Sequence, residues 1–481
     1  MRLRVLFIHY HLRPGGVTRV ILDQIKAIKE FADTAIIIGE EPQVRVNCPY
    51  RVVSPISYDR DRRDNLKPTE IAELIIKEAQ SIWSGGPDII HVHNPTLGKN
   101  KDFLEVLFLL EEKNRSLLLQ IHDFAEDGRP GGYSSHPYPH DVHYAVINSR
   151  DYGILLKSGL QEDGLHYLPN AIHPLPISDN IKRDLYLYPV RAIRRKNVGE
   201  AILLSLFIKE GCHVGITLEP TSRIDTVCYN NWIHFSRERR LRVKYALGLS
   251  NKFEDIVSRA LLFITTSVKE GFGFSFLEPW TAMRMVSGRL IPDVCSDFIE
   301  KNIILDFFYN SIKIPLEMID VSSFENIWID CYKNILAAYG IKCSDVEARE
   351  ALSDLYVEDT LDYSYLNEEL QMEVIENLQK NKKKLEKFLD LNPFFKKNSD
   401  FNNGYTGDVF DEVVRHNREV VLKEYSIEKY SRRLRDIYEN VLNYRVSQSI
   451  NKKKLLDAFL KPENQYLLLC EKSAGLNSSF A

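Results

Sequence analysis

Residues 261–278 read LLFITTSVKEGFGFSFLE. Leu261–Thr265 has the short apolar character of a buried strand, and Phe274 onward reads as a helix start. Between them, Gly271 and Gly273 let backbone amides approach an anionic ligand closely. The exposed N–H groups and dipole of the helix start favour phosphate there. Glu270 and Glu278 flank the run, and eight residues of helix is a little over two turns, so both carboxylates can reach one elongated ligand. The plainer alternative is that Glu270 caps the helix and Glu278 points to solvent. A strand ending in a glycine turn that opens a helix is the unit of an open parallel α/β sheet, where ligands bind outside the carboxyl ends of the strands.

The same unit recurs along the chain. From Leu3 to about Ile172, Val- and Ile-rich runs alternate with helical patterns, as covered parallel sheets require. Strands are predicted at Leu3–Tyr10, Thr34–Ile38, Ile89–His93, Leu117–Ile121, Tyr144–Ile147 and His166–Leu168. Helices are predicted at Val17–Glu30, Thr69–Ser81, Lys101–Lys113 and Arg150–Lys157. A second series runs through Leu185–Ile193, Val198–Lys209, Val214–Leu218, Ile233–Phe235, Leu261–Thr265 and Met285–Ile291. Asn170–Asn180, with Pro174 and Pro176, suits a linker between them. The expected fold is therefore α/β, with two doubly wound, Rossmann-like domains facing a cleft at 1–175 and 185–445.

Beyond Val294 the pattern changes to long charged helices. This predicts a C-terminal helical insertion over about 295–410 and an extension beyond it. The basic run Lys380–Lys384 reads as a solvated helix face. Asn392–Gly407 reads as a loop. Tyr425–Leu442 carries apolar residues at helical spacing and is expected to pack on the second domain. No role follows for the tail 446–481.

The chain has 481 residues, more than one core usually supports. With 44% apolar and 27% charged residues and a formal net charge of -4, its composition is that of a globular protein and suggests no nucleic-acid partner. Met1 leads directly into strand-like sequence without the pattern of a signal peptide, and no apolar run is long enough to cross a bilayer. Seven cysteines, widely spaced and without a CxxC pair, suit a reduced, cytoplasmic setting.

Several other strand ends carry candidate ligand groups. Gly15 and Gly16 follow the first strand at the opening of a helix. They permit close approach of a ligand or simply make a tight turn. Neither the GxGxxG fingerprint nor the GxxxxGK[ST] loop is present, which argues against NAD binding and against ATP hydrolysis. His9 and His11, and likewise His91 and His93, are alternate residues near strand ends. With His122 or Asp123 they offer a possible zinc set for a metal-dependent hydrolase, although crevice-lining hydrogen-bonding groups are the commoner role. His122, ending a strand before Asp123, is placed in the chemistry. Arg191 and Lys196 follow the first strand of the second series and suit a diphosphate. Basic residues Arg13, Arg19, Lys99, Lys101, Arg129 and Arg150 gather where loops of the first domain should surround the cleft, which suggests that a second substrate is anionic.

Together these motifs resemble the retaining, GT-B fold glycosyltransferases of family 4, over most of the chain. The matching features, in order, are Gly15–Gly16, His122–Asp123, Asn148–Arg150, LPNAIHP at Leu168–Pro174, the pair Arg191 and Lys196, and Glu270 to Glu278. The resemblance implies a nucleotide-sugar donor held mainly by the second domain and an acceptor held mainly by the first. Catalysis would fall to His122, Glu270, Arg191 and Lys196, with no metal and no other cofactor. Arg191 and Lys196 would stabilise the leaving diphosphate, helped by amides after Glu270. The donor set would be Gly15, Gly16, Arg191, Lys196, Glu270, Gly271, Phe272, Gly273 and Glu278, the last on the ribose. Glu270 would lie by the transferred sugar and His122 by its 6-hydroxyl side. His11, Arg13, Arg19, Lys99, Arg129 and Arg150 would serve the acceptor, expected to be a glycerate or phosphoglycerate glycoside. A non-catalytic partner subunit or an epimerase on the same fold are the competing readings. Pro279–Trp280 after Glu278 and Val286–Arg289 after the helix depart from the common family pattern.

Overall fold

The computed structural model describes residues 2–113, 116–177 and 182–474, and resolves two compact units. The first comprises Met1–Ile172 and Lys423–Leu460. Its strands are β1 (Leu3–His9), β2 (Ala32–Ile38), β3 (Tyr50–Val52), β4 (Ile89–His93), β5 (Leu117–Ile121), β6 (His143–Val146) and β7 (Leu165–Tyr167). They form one seven-stranded sheet in the order β3-β2-β1-β4-β5-β6-β7, with every pairing parallel. Alternate residues of a strand enter opposite faces: Leu6 and Ile8 of β1 pack in one core, Val5 and Phe7 in the other. Both faces are therefore apolar, which is why these strands read as near-continuous hydrophobic runs.

The second unit comprises His173–Leu422 and Lys461–Ala481. Its strands β8 (Leu185–Arg191), β9 (His213–Leu218), β10 (Val243–Lys244), β11 (Ala260–Thr265), β12 (Val286–Arg289) and β13 (Phe308–Tyr309) form a parallel sheet in the order β10-β9-β8-β11-β12-β13. Both sheets run outward from a first strand in two directions, the doubly wound arrangement. Gly288 is required at the β11–β12 approach. Its φ is +141°, and a Cβ there would lie 1.9 Å from the Thr265 carbonyl oxygen. The polar composition of Val286–Arg289 thus belongs to a true central strand, whose Arg289 is neutralised by buried Glu200 and by Asp362.

Several expectations are corrected. Helix Ile427–Asn443 packs on the first unit and not the second. Tyr430, Leu434, Ile437, Tyr438 and Val441 enter the core holding Val5, Phe7 and Ile21. An apolar stripe states that a helix face is buried, whereas its partner is chosen by complementary shape and by specific polar contacts. Here Tyr438 bonds His91 (3.0 Å), and Gln24 donates to the Tyr430 hydroxyl (2.9 Å). The boundary drawn at 445 consequently moves. Residues 423–460 belong with the first unit and 461–474 return to the second, while 475–481 lie outside the described residues, as do linker positions 178–181.

The run Ile233–Phe235 lies within helix Arg223–Glu238, and the helix expected at Val198–Lys209 ends at Leu204. Lys380–Lys384 is interrupted at Asn381, whose side chain caps a new helix, Lys382–Leu391. Asn392–Gly407 contains the short helix Asp400–Asn403, because Phe394, Phe395, Phe401 and Tyr405 pack on one another. Cys331 and Cys470, 139 residues apart in sequence, are joined as a disulfide with Cα atoms 6.2 Å apart, against the expectation of thiols throughout. Such a separation leaves no spacing signal in the chain. Among the described residues, no helix is long and apolar enough to cross a membrane.

Candidate active site

In the second unit, the loops after β8 and β11 meet. The chain leaves β8 through a 3₁₀ turn, Arg194–Lys196, and enters helix Val198–Leu204 at Asn197, whose φ of 49° is left-handed. Thr266 donates its hydroxyl to the carbonyls of Lys196 (3.2 Å) and Asn197 (3.0 Å). The Tyr188 hydroxyl donates to the Lys196 carbonyl (2.8 Å) and lies 2.8 Å from Ser267 Oγ. The Val268 amide donates to the Arg195 carbonyl (3.1 Å). Two loops from non-adjacent segments are thereby held in one register.

This scaffold brings Lys196 and Glu270 into a buried ion pair, with side chains 15% and 9% exposed. Ser267 donates to the same carboxylate (2.6 Å), and Arg195 Nη1 stands 3.4 Å from its other oxygen. Burial opposes ionisation of Glu270, but the Lys196 and Arg195 charges outweigh it and hold the carboxyl below its usual range. Burial lowers the Lys196 ammonium, with Glu270 partly restoring it.

Gly273 then ends the loop with φ +87° and caps helix Phe274–Thr281. A Cβ there would lie 2.9 Å from Val294 Cγ1, so this position is glycine for the fold's own reasons. Glu278 is half-buried on that helix, where its carbonyl accepts from Thr281 Oγ1 (2.6 Å). The ammonium and guanidinium at Glu270, and the amides of the helix start that follows in sequence, are groups of the kind that bind a di-anionic ligand.

Arg191 ends β8 beside a different group from Lys196. Its guanidinium donates to the Glu219 carbonyl (2.8 Å), and the cation beside Glu270 together with Lys196 is Arg195. Sequence reading passed over Arg195, Ser267 and Tyr188. The triple Arg194-Arg195-Lys196 was the available signal, but which of three adjacent cations faces the loop depends on the turn conformation.

In the first unit, His122 follows β5 and is buried. Its amide donates to Asn94 Oδ1 (2.8 Å), and its Nε2 shares a hydrogen bond with His93 Nδ1 (2.9 Å). His93 stacks on His91, whose two nitrogens bond Gln120 Oε1 (3.0 Å) and the Tyr438 hydroxyl (3.0 Å). His9 bonds the His93 carbonyl (3.3 Å). Burial lowers His122 to about 4 and His9 and His91 to about 3, so the column is neutral at pH 7. The geometry is that of a hydrogen-bonded histidine column. Ring nitrogens bonded to one another or to Gln120 and Tyr438 are not directed at a common ion. Among the described residues, no group of three or more His, Cys, Asp or Glu side chains is placed to hold a metal.

The basic residues of the first unit do not pool their charge. Arg13 forms a two-pronged pair with Glu40 (2.6 and 2.5 Å) and reaches Asp61 (3.0 Å). Arg129 pairs with Asp123, Arg150 with Asp127 and Asp151, and Arg19 lies 3.9 Å from Asp23. Lys99 and Lys101 are exposed, and His11 bonds the Tyr58 hydroxyl (3.1 Å).

Gly15 and Gly16 precede and open helix Gly16–Ile28. Gly15 is extended (φ 176°), and a Cβ would meet only the Arg13 carbonyl at 3.9 Å; at Gly16 nothing lies within 4 Å. Packing against neighbouring side chains therefore does not demand either glycine. Gly16→Ala is expected to leave stability within about 0.5 kcal/mol. Turnover with the nucleotide sugar should fall about tenfold or more through displaced substrate. Steady-state kinetics beside a thermal melt checks this, and parental kinetics would return the pair to a structural role.

No family model matches the chain. A curated relative, mannosylglucosyl-3-phosphoglycerate synthase of Petrotoga mobilis, is 28% identical over 409 residues, covering 76% of this chain and 79% of the relative. Among solved structures, a glycosyltransferase from Rickettsia africae superposes with a TM-score of 0.54 at 12% identity, covering 92% of this chain and 99% of that one. Anabaena HepE in complex with UDP-glucose gives 0.53 at 10% identity, covering 91% and 100%. These structural likenesses establish the fold as that of GT-B glycosyltransferases.

Proposed function

We propose that the chain is a retaining hexosyltransferase. It would move a hexose from a nucleotide-diphosphate sugar, of GDP-mannose or UDP-glucose type, to a hydroxyl of a small anionic acceptor such as a glycerate or phosphoglycerate glycoside. The observation that carries this reading is the buried Lys196–Glu270 pair, flanked by Arg195, at the joined ends of β8 and β11. It is an arrangement suited to a departing diphosphate. The relationship to a mannosylglucosyl-3-phosphoglycerate synthase over most of both chains supports the acceptor class.

In this reading the second unit binds the donor and the first recognises the acceptor. Lys196 and Arg195 stabilise the negative charge that develops on the leaving diphosphate. The departing phosphate oxygen takes the proton of the attacking hydroxyl on the same face of the sugar, so the anomeric configuration is retained and no metal is required. His122 is neutral because it is buried, so any part it takes is that of a hydrogen-bonding group and not of an acid.

A thermal-shift panel of UDP, GDP and ADP sugars, with and without EDTA, tests the reading first, since a ligand that binds the native state raises its apparent stability. A shift by one nucleotide series, unaffected by EDTA, is expected. Incubating that donor with a phosphoglycerate glycoside should then yield a product whose new linkage keeps the donor's anomeric configuration by NMR. No shift with any nucleotide, together with destabilisation by EDTA, would overturn it.

A further inference from the structure

The helical insertion buries polar side chains against the turn that carries Lys196. Residues on both sides of Lys196 are held by it. Arg194 is buried and forms a two-pronged pair with Glu368 (2.5 and 2.9 Å). The same guanidinium donates to the Cys470 carbonyl (2.6 Å) and to Ser473 Oγ (2.8 Å) in the returning tail. The disulfide with Cys331 ties that tail to helix Val321–Ala338. Asn197, held left-handed, accepts from Gln371 Nε2 (2.9 Å) and donates to Glu200 (2.7 Å). Glu200 is fully buried against Arg289, which Asp362 of the insertion completes (2.7 and 2.8 Å). Gly199 lets Gln371 approach: a Cβ there would lie 2.1 Å from Gln371 Oε1.

Glu368 and Gln371 both lie on helix Glu368–Lys380. That helix therefore holds the residue two before Lys196 and the residue one after it, by a charged pair on one side and a neutral amide on the other. With both neighbours fixed, the backbone from which the Lys196 side chain starts is fixed too, and Glu270 then holds the ammonium at its end; preorganised placement of a cation is what stabilisation of a developing charge demands.

We infer that the segment Asp362–Gln371, with the tail Leu467–Ser473, is a positioning clamp on the turn Arg194–Asn197, and that Glu368 and Gln371 are positioning residues for the diphosphate seat at Lys196. This rests on the functional reading above and assigns the insertion a role within the donor site. Neither residue touches the donor. Each acts through the turn.

The test compares the full-length parent with Gln371→Leu and Glu368→Asp, which leave Lys196, Arg195 and Glu270 in place. Calorimetry measures binding of UDP, GDP and ADP and of the corresponding free nucleosides, well below each protein's melting temperature. Diphosphate affinity is expected to fall about tenfold, on the scale of one lost hydrogen bond, with nucleoside affinity unchanged. A loss shared equally by nucleoside and diphosphate would mean general loosening, and parental affinity for both would mean no coupling. Either overturns the clamp. Should Glu368→Asp fail to fold, Gln371→Leu, which removes only the neutral hydrogen bonds to Asn197 Oδ1 (2.9 Å) and the Tyr363 carbonyl (3.4 Å), decides alone. A parent that binds none of the three diphosphates would instead bring down the functional reading and the clamp with it.

Discussion

Lys196→Ala is expected to lower kcat/KM for the nucleotide sugar by about two to three orders of magnitude, the usual loss when one preorganised charge-stabilising group is removed. Lys196 is the buried cation of the seat, whereas Arg195 is about one-third exposed and Arg191 is committed to the Glu219 carbonyl. Low dielectric around the buried ammonium makes its contribution larger than that of an exposed charge. The substitution also strands Glu270 inside the protein with only Ser267 and the more distant Arg195 to compensate it. Leaving one partner of a buried pair costs about 3–5 kcal/mol. Both effects are separable. Urea melts report the stability loss, and donor kinetics on the folded fraction report the lost charge. Donor kinetics like the parent's would remove Lys196 from the site.

Acid is expected to destabilise the protein through its buried histidines as the pH falls below about 6.5. His9, His91 and His122 have folded-state values near 3, 3 and 4, because burial penalises the charged ring, and His93 is lowered in the same direction. In the unfolded chain a histidine titrates near 6.5. The unfolded state therefore takes up protons first as the pH falls. Stability is full above about 6.5 and is lost progressively as the pH drops toward 4. At pH 5 each of the three contributes a loss of about 2 kcal/mol, and together this is comparable with the whole stability of an ordinary domain. Carboxylates such as Asp88, held low chiefly by the Arg4 hydrogen bond, act at lower pH and leave the histidine window distinct. Unfolding midpoints measured across this range should fall steeply, and His91→Gln should flatten the slope by close to one proton. A flat parental profile between pH 6.5 and 5 would contradict the buried neutral column.

How far each site was legible depended on the distance over which its cause acts. Glu270 could be singled out in the sequence because a strand, a glycine turn and a helix start are local, and their carboxyl-end placement follows from the parallel sheet. The pairing of that carboxylate with Lys196 was not legible, since the two lie 74 residues apart and meet only through the β8–β11 neighbour relation. The first domain's arginines looked like an anionic-ligand surface because their own charges were visible while their partners were not. Arg13 meets Glu40 and Asp61 only after β1 and β2 pair and the loop after β3 folds back. The histidine pairs raised a zinc reading for a similar reason. Alternation along a strand reports which face a ring occupies, but not that Gln120 and Tyr438 would occupy the nitrogens of His91.

From the sequence alone came the two doubly wound series, the positions of most strand ends and the residues gathered there. Period-two and helical patterns, together with glycine's backbone freedom, act within a few residues and survive without tertiary context. Only the tertiary structure decided that Arg195 stands beside Lys196, that helix Ile427–Asn443 closes the first unit, and that the insertion grips the turn at Arg194 and Asn197. Each of these is a choice among chemically equivalent partners. Such choices are made by shape and by the burial of specific charges across long sequence separations, which no local pattern encodes.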